Sequence, residues 1–190
     1  MIIVCKDGQQ ISKLEKKLQQ RFEISSLGEV SQFLGIKVTK NKRGMYSLSQ
    51  RSFIKEVAER FGLDGAKTSK YPLNPGYFRQ QEGDALADNV QYHSLVGALL
   101  YIAMNSRPDI AAAISILSRR TNQSAQRDWV ELKRVVRYLV ATEDHQLSLS
   151  SDRTKDLVLI GYSDADWAGD STNRKSTSGF LFQIGEASVS

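Results

Sequence analysis

From Tyr92 to Ala141, about fifty residues carry apolar side chains at helical spacing, so a chain of this kind has to close around a helical core. Tyr92, Leu95, Val96, Leu99, Leu100 and Ala103 share one face of a first helix, and Gly97 and Ala98 are small enough to admit a neighbouring backbone. Ser106 and Asp109 stand in capping-box register around Pro108, which the first turn of a helix tolerates, and Ile110, Ala113, Ile114 and Leu117 follow on its inner side. A third helix, from about Ala125 to Ala141, turns Trp129, Leu132, Val136, Leu139 and Val140 inward. Its outer side carries Lys133, Arg134 and Arg137, a basic stripe that either tracks a phosphate backbone or keeps the helix solvated.

The residues ahead of this core mix two periods. Ile2, Ile3 and Val4 read as the end of a buried strand. Asp7 then caps a helix with Gln10 in the capping-box position, and Ile11, Leu14, Leu18 and Phe22 form its buried stripe, leaving Lys13, Lys16, Lys17 and Arg21 towards solvent. Phe33 to Lys40 and Met45 to Ser49 read as a hairpin around Asn41, Lys42, Arg43 and Gly44, with a strongly basic tip. Arg51 to Phe61 is a second amphipathic helix, capped by Ser49 and stopped by Gly62, with Phe53, Ile54, Val57, Ala58 and Phe61 inward. Residues 64–90 hold Pro72 and Pro75 without a sustained period and read as a linker or long surface loop. The fold class is therefore α+β.

Charge is unevenly placed. Residues 1–70 hold 14 Lys or Arg against 7 Asp or Glu, residues 71–150 hold 8 against 8, and residues 151–190 hold 4 against 6. A basic first third and an acidic end suit a polyanion held at one place and a metal at another, although soluble Lys-rich helix faces explain the same distribution. Cys5 is the only cysteine, which excludes a disulfide framework or cysteine zinc site and points to an intracellular compartment, cytoplasmic or nuclear rather than secreted. No stretch approaches the length of a membrane span, and the start MIIVCKDG lacks the features of a signal peptide or anchor.

The densest chemistry lies between Leu157 and Gly179. Leu157 to Ile160 is a short apolar run bounded by Gly161, the pattern of a strand buried on both faces. A period of two puts Val158, Ile160, Tyr162 and Asp164 on one side, so a carboxylate ends the strand, and Asp166 and Asp170 follow within one loop. Three carboxylates this close repel one another unless a cation intervenes. A calcium loop starting at Asp164 fails at Ala168 and Lys175, whereas magnesium needs only one or two carboxylates plus phosphate oxygens. A solvated acidic turn is the plainer alternative. Phe180, Phe182 and Ile184 alternate as a second strand should.

Seven segments then accumulate in order: FLGI at Phe33 to Ile36, LSQ at Leu48 to Gln50, YHSLVGALLY at Tyr92 to Tyr101, SRPDI at Ser106 to Ile110, KRVVRYL at Lys133 to Leu139, GYSDADWAGD at Gly161 to Asp170, and RKSTSG at Arg174 to Gly179. Together they resemble the reverse transcriptase and ribonuclease H region of copia-type retrotransposon Pol polyproteins. The resemblance implies the end of a polymerase palm over residues 1–63, with a primer-grip-like β-hairpin, and a linker over 64–91. It implies a helical thumb or connection over 92–145, then the first antiparallel hairpin of a ribonuclease H-like domain over 146–190. It places Leu34, Gly35 and Ile36 at the primer grip, and Lys42, Arg43, Lys133, Arg134, Arg137, Arg174 and Lys175 along nucleic acid. Asp164 becomes the first ribonuclease H metal ligand, with Asp166 beside it, and Mg2+ the cofactor of the intact enzyme. The implied partners are an RNA/DNA hybrid or template-primer duplex and the remainder of the polyprotein, with no membrane. The Tyr-x-Asp-Asp turn of the palm and the next ribonuclease H glutamate do not occur in these 190 residues, so the chain alone is expected to be inactive. A non-catalytic nucleic-acid-binding remnant and a decayed insertion with no selected function are the alternatives. Asp128 stands before Trp129 where the family more often has His, and Val140 to Glu143 replaces a Lys-Gly-Thr ending, which weakens the expected basic character of that helix.

Overall fold

Helices α3 (Val90–Asn105), α4 (Ala111–Ser118) and α5 (Gln126–Ala141) pack together, and α2 (Arg51–Arg60) closes against α3 and α5. The computed structural model describes residues 2–5, 7–42, 44–79, 83–86, 89–149, 158–165, 176–184 and 187–188. Leu95, Leu99, Ile102, Ile114, Leu117, Leu132 and Leu139 are fully buried at the centre, each such burial contributing about 1.5–3 kcal/mol. Ile54, Val57 and Ala58 supply the α2 face. Ile102 and Val135 belong to this core without having been expected there, whereas Leu100 is exposed and Gly97 faces open space.

The remaining elements are antiparallel sheet, which makes the fold α+β. β1 (Gln32–Phe33), β2 (Ile36–Lys40), β3 (Tyr46–Ser49) and β4 (Leu147–Leu149) form one sheet in that order. The run Phe33 to Lys40, expected as one strand, is broken by a tight turn at Leu34 and Gly35, both at positive φ. β5 (Leu159–Ala165), β6 (Ser178–Ile184) and β7 (Ala187–Ser188) form a second sheet, in which Asp164 lies opposite Gly179 and Gly161 opposite Phe182. The Phe182 ring covers Gly161 so closely that a Cβ there would meet its Cε1 at 2.8 Å. β5 was expected to be buried on both faces. It is exposed along its length, because only β6 pairs with it among the described residues.

Helix α1 (Gly8–Gln19) also departs from expectation. Asp7 accepts a hydrogen bond from the Gln9 N–H at 2.9 Å, but the Gln10 amide oxygen takes the Cys5 thiol. The stripe Ile11, Leu14, Leu18 and Phe22 is not buried, since no described element packs over it and Ile2–Cys5 forms no strand. Ser106 and Asp109 make no capping box either. Pro108–Ile110 is a 3-10 turn, Ser106 Oγ donates to Gln50 Oε1 at 2.7 Å, and Asp109 is taken by Arg107.

Two buried polar nodes organise the helices. Arg107 is almost wholly enclosed and donates to Asp109 at 2.7 and 2.9 Å and to the Thr142 carbonyl at 3.0 Å, with its guanidinium over the Tyr138 ring. The second node is Asp128, completely buried at the start of α5. Its carboxylate accepts from the Tyr77 hydroxyl (2.7 Å), the Ala125 N–H (2.9 Å) and Arg120 Nε (3.3 Å), with Arg127 Nε at 3.4 Å. The Ala125 N–H contact is half of a capping box, with the third residue of the helix reaching back to satisfy an orphan donor. Asp128 therefore sits inside the protein and has no bearing on the basic character of the surface.

The same node holds the irregular segment 64–79 on α5. Ser69 N donates to Arg137 O (3.4 Å), Asn74 N to the buried Glu131 carboxylate (2.9 Å), and Tyr77 to Asp128. The segment thus runs antiparallel to the helix. Burial first, then the hydrogen bond to Asp128 and its charge, hold the Tyr77 phenol well above its ordinary pKa, so it remains a donor.

These nodes predict the outcome of three substitutions. Tyr77→Phe leaves one acceptor of a buried carboxylate unmatched and is expected to cost about 1–3 kcal/mol in urea unfolding. Asp128→Ala strands two arginines and is expected to cost about 3–5 kcal/mol. A Tyr77→Phe effect indistinguishable from zero means that the segment is not held in this way. Burial raises the Asp109 pKa, but the Arg107 and Tyr138 hydrogen bonds and the Arg107 charge together bring it below the ordinary carboxylate value. A depressed folded pKa gives stability present above the unfolded value, about 3.9, and lost as pH falls through the folded one. Asp109→Asn is therefore expected to be less stable than wild type at pH 7, with the gap narrowing below about pH 4.

Candidate nucleic-acid interface

A two-residue hairpin turn with positive φ at both central residues is the mirror-image type that matches strand twist, and it favours Asn-Gly. Here it is Leu34 (φ 49°) and Gly35 (φ 76°) between the paired residues Phe33 and Ile36. Glycine occupies that conformation without cost. An L-residue with a bulky side chain pays about 1–2 kcal/mol for it. What holds Leu34 there is Tyr101 of α3, whose hydroxyl donates to the Leu34 carbonyl while its ring stands edge-on to Phe53 at 5.5 Å. The Leu34 side chain is left 71% exposed.

The other end of the hairpin is the basic tip. Asn41 N donates to Met45 O (2.9 Å), Gly44 N to Asn41 O (2.9 Å), and Met45 N to Asn41 Oδ1 (3.0 Å), which closes the loop around exposed Lys42. Lys40 stands over the Tyr46 ring at 5.5 Å and 3.9 Å from Glu29. Arg43 lies outside the described residues, as do Arg174, Lys175 and Asp166. One side of the hairpin borders a polar cleft of about 470 Å³ lined by Gly35, Lys37, Thr39, Arg51, Glu143 and Asp144. Its charges are largely internal, since Arg51 pairs with Glu143 (2.5 Å) and Asp144 (2.8 Å), and Lys55 with Glu143 (3.6 Å).

The α5 stripe is less uniform than its sequence suggests. Arg134 Nε is bound to Glu131 at 2.9 Å, and Lys133 lies over the Trp129 ring at 5.2 Å. Arg137 Nε is buried without a hydrogen-bond acceptor among the described residues. Asp164 sits exposed on β5, a separate element from both the hairpin and α5. Among the described residues no group of three or more His, Cys, Asp or Glu is placed to hold a metal ion. No helix of the described residues is long and apolar enough to cross a membrane.

Sequence reasoning missed Tyr101, Arg107 and the inward role of Asp128. Tyr101 ends a helical motif and acts 67 residues away in the chain, which no local pattern reveals. Asp128 had a readable signal: an acidic residue three positions into a helix whose cap, Ala125, has no side-chain oxygen.

Comparison with known proteins gives a consistent picture. A family model described as reverse transcriptase (RNA-dependent DNA polymerase) matches residues 1–75. The retrovirus-related Pol polyprotein from transposon TNT 1-94 of Nicotiana tabacum is 35% identical over 202 residues, covering 100% of this chain and 15% of that protein. An uncharacterized mitochondrial protein of Arabidopsis thaliana is 31% identical over 89% of this chain and 69% of its own length. Secreted RxLR effector protein 161 of Plasmopara viticola is 47% identical over 54% of this chain and 70% of its own length. The chain spans less than a sixth of the transposon polyprotein it matches. No solved structure matches it.

The strained turn makes its own prediction. Leu34→Asn supplies the residue that tolerates positive φ and is expected to raise stability by about 1 kcal/mol in thermal or urea unfolding. A destabilised variant means that the Leu34 side chain is held by packing the exposure does not show.

Proposed function

The chain belongs to the copia-type retrotransposon Pol polyprotein family, and on that premise we propose that it is a reverse transcriptase-related segment whose own contribution is to grip a template-primer duplex or RNA/DNA hybrid. The observation that carries this reading is the turn at Leu34 and Gly35. A bulky apolar residue kept in an unfavourable backbone conformation, anchored from behind by Tyr101 and left exposed, has been placed to touch something. Gly35 lets a backbone come close, and Ile36 starts the strand that leads to the basic tip at Lys42 and Arg43.

The partner is recognised by form and phosphate, because the groups presented are a hydrophobic side chain, backbone and cations, none of which reads base sequence. The cations of α5, Lys133, Arg134 and Arg137, extend the phosphate-tracking surface, and the family resemblance assigns Arg174 and Lys175 to nucleic acid as well. Residues 1–63 correspond to palm, 64–91 to a connecting segment, 92–145 to thumb or connection, and 146–190 to the opening of a ribonuclease H-like domain. In that domain Asp164 is the first carboxylate, with Asp166 beside it. Magnesium is the metal of the intact family enzyme, and gripping is the contribution assigned to the residues described here.

A labelled RNA/DNA hybrid titrated with the purified chain is expected to bind with micromolar affinity that falls steeply between 50 and 200 mM salt. Lys42→Ala should lower the log-log salt slope by about one, and Leu34→Asn should weaken binding while leaving the slope unchanged. Undetectable or salt-independent binding sinks the grip. Magnesium-dependent cleavage of the RNA strand by the chain alone refutes the assignment of a purely binding role.

A further inference from the structure

The cleft beside the hairpin holds its cations in an arrangement that suits a phosphate. Arg51, the first residue of α2, donates through Nη1 to Asp144 Oδ1 at 2.8 Å and through Nη2 to Glu143 Oε1 at 2.5 Å. The second oxygen of Glu143 lies 3.6 Å from Lys55 Nζ, one turn further along the helix. Two neighbouring carboxylates thus fill the planar fork of a guanidinium and reach the next cation, which is how the acceptor oxygens of a phosphate engage Arg and Lys. Gly35 of the strained turn and exposed Lys37 line the same cleft, and Lys37 stands opposite Ser49 in the β2–β3 register, just ahead of α2.

The backbone that carries the two carboxylates has anchors of its own. On one side Thr142 is held by the enclosed Arg107, which donates to its carbonyl at 3.0 Å and to its hydroxyl at 2.6 Å. On the other, β4 pairs with β3. Glu143 and Asp144 are therefore presented at a set place, while their contacts face water. The side chains of Arg51, Lys55 and Asp144 are 49%, 54% and 79% exposed, and only Glu143 is more enclosed. Ion pairs this exposed contribute little to stability, so exchanging them leaves the fold intact.

We propose that Glu143 and Asp144 form an autoinhibitory clasp: in the free chain they occupy Arg51 and Lys55 as a stand-in for phosphate, and the backbone of a gripped duplex displaces them. This regulation presupposes the duplex grip at Leu34 and Lys42. A polyanion that does not engage the turn meets a cleft whose Arg51 and Lys55 are already neutralised. One seated on Leu34 and Gly35 brings its phosphates to the cleft at high local concentration, and exchange for the carboxylates then adds two contacts. The clasp thereby favours a ligand held at the turn over any loose polyanion.

The test measures binding of a labelled RNA/DNA hybrid to the full chain by anisotropy between 50 and 200 mM salt. Glu143→Gln with Asp144→Asn keeps the side-chain shapes and removes the competing charges. It is expected to tighten binding about tenfold or more at 50 mM salt and to steepen the log-log salt slope by about two, roughly 0.9 for each cation that gains a phosphate. Adding Arg51→Ala to that variant is expected to reverse about half of the change in slope. Asp144→Asn alone, at a side chain open to water, does not endanger folding and is expected to steepen the slope by itself. Glu59→Gln with Asp64→Asn makes the same charge change on exposed acids outside the cleft and is expected to leave the slope as it is. Wild-type binding with no gain in affinity or slope from the clasp variants overturns the proposal and leaves the grip standing. An equal gain from the Glu59 and Asp64 variant also overturns it, because the effect is then the field of the whole protein. If neither wild type nor clasp variant binds the hybrid, the grip and its regulation fall together. Binding seen only once the clasp is neutralised supports it in its strongest form.

Discussion

A carboxylate with no access to water holds this structure in register. Asp128 could not remain charged inside a core of Leu132, Val135 and Val136 without compensation, because desolvation of an isolated ion costs far more than any single contact returns. It is compensated four ways, by a phenol, a backbone N–H and two guanidinium groups. Each donor arrives from a different piece of chain: Tyr77 from the segment 64–79, Ala125 from the helix cap, Arg120 from the end of α4, and Arg127 from α5 itself. The placement of the segment over α5, the approach of α4 and the first turn of α5 are therefore one problem with one solution. Arg107 does the converse at the other end of the bundle, a buried cation that draws Asp109, Thr142 and Tyr138 around it.

These two nodes also decide the outward electrostatics. Asp128 and Glu131 are turned in and matched, so the outer side of α5 is left to Lys133, over the Trp129 ring, and to half-buried Arg137. A protein with no charge excess between residues 71 and 150 can in this way show a positive face. Counting charges along the chain cannot reveal it, because the count does not know which carboxylates are inside.

What was legible in the sequence was whatever depends on local period. The inward residues of α2, α4 and α5 follow from spacing alone, since a helix has no other way to gather its apolar side chains. What was illegible depends on partners far away in the chain. The turn at Leu34 carries none of the usual turn chemistry, and only Tyr101, 67 residues on, makes it possible. Residues 64–79 looked like a linker because prolines and mixed charge say nothing about Glu131 and Asp128. The apolar stripe of α1 and the strand β5 show the opposite error. Their pattern correctly marks surfaces that favour burial, but pattern cannot say that the covering element lies among these residues, and in the described structure it does not. Of the candidate site, the hairpin and its basic tip were readable as chemistry, whereas the Tyr101 anchor behind the turn was not, because it exists only once α3 is packed beside the hairpin.

The pairing of β4 with β3 has a kinetic consequence. The strand at Leu147–Leu149 completes a sheet whose other members lie near the start of the chain, and the ion pairs that pin it, such as Arg51 with Glu143, join residues 92 apart in sequence. Closing a loop of that size incurs its entropy loss before any hydrogen bond is gained, whereas the helices between can form from neighbours alone. The bundle is therefore the natural nucleus, and on a ribosome the β2–β3 hairpin must wait, with one edge open, until β4 has emerged to seal it.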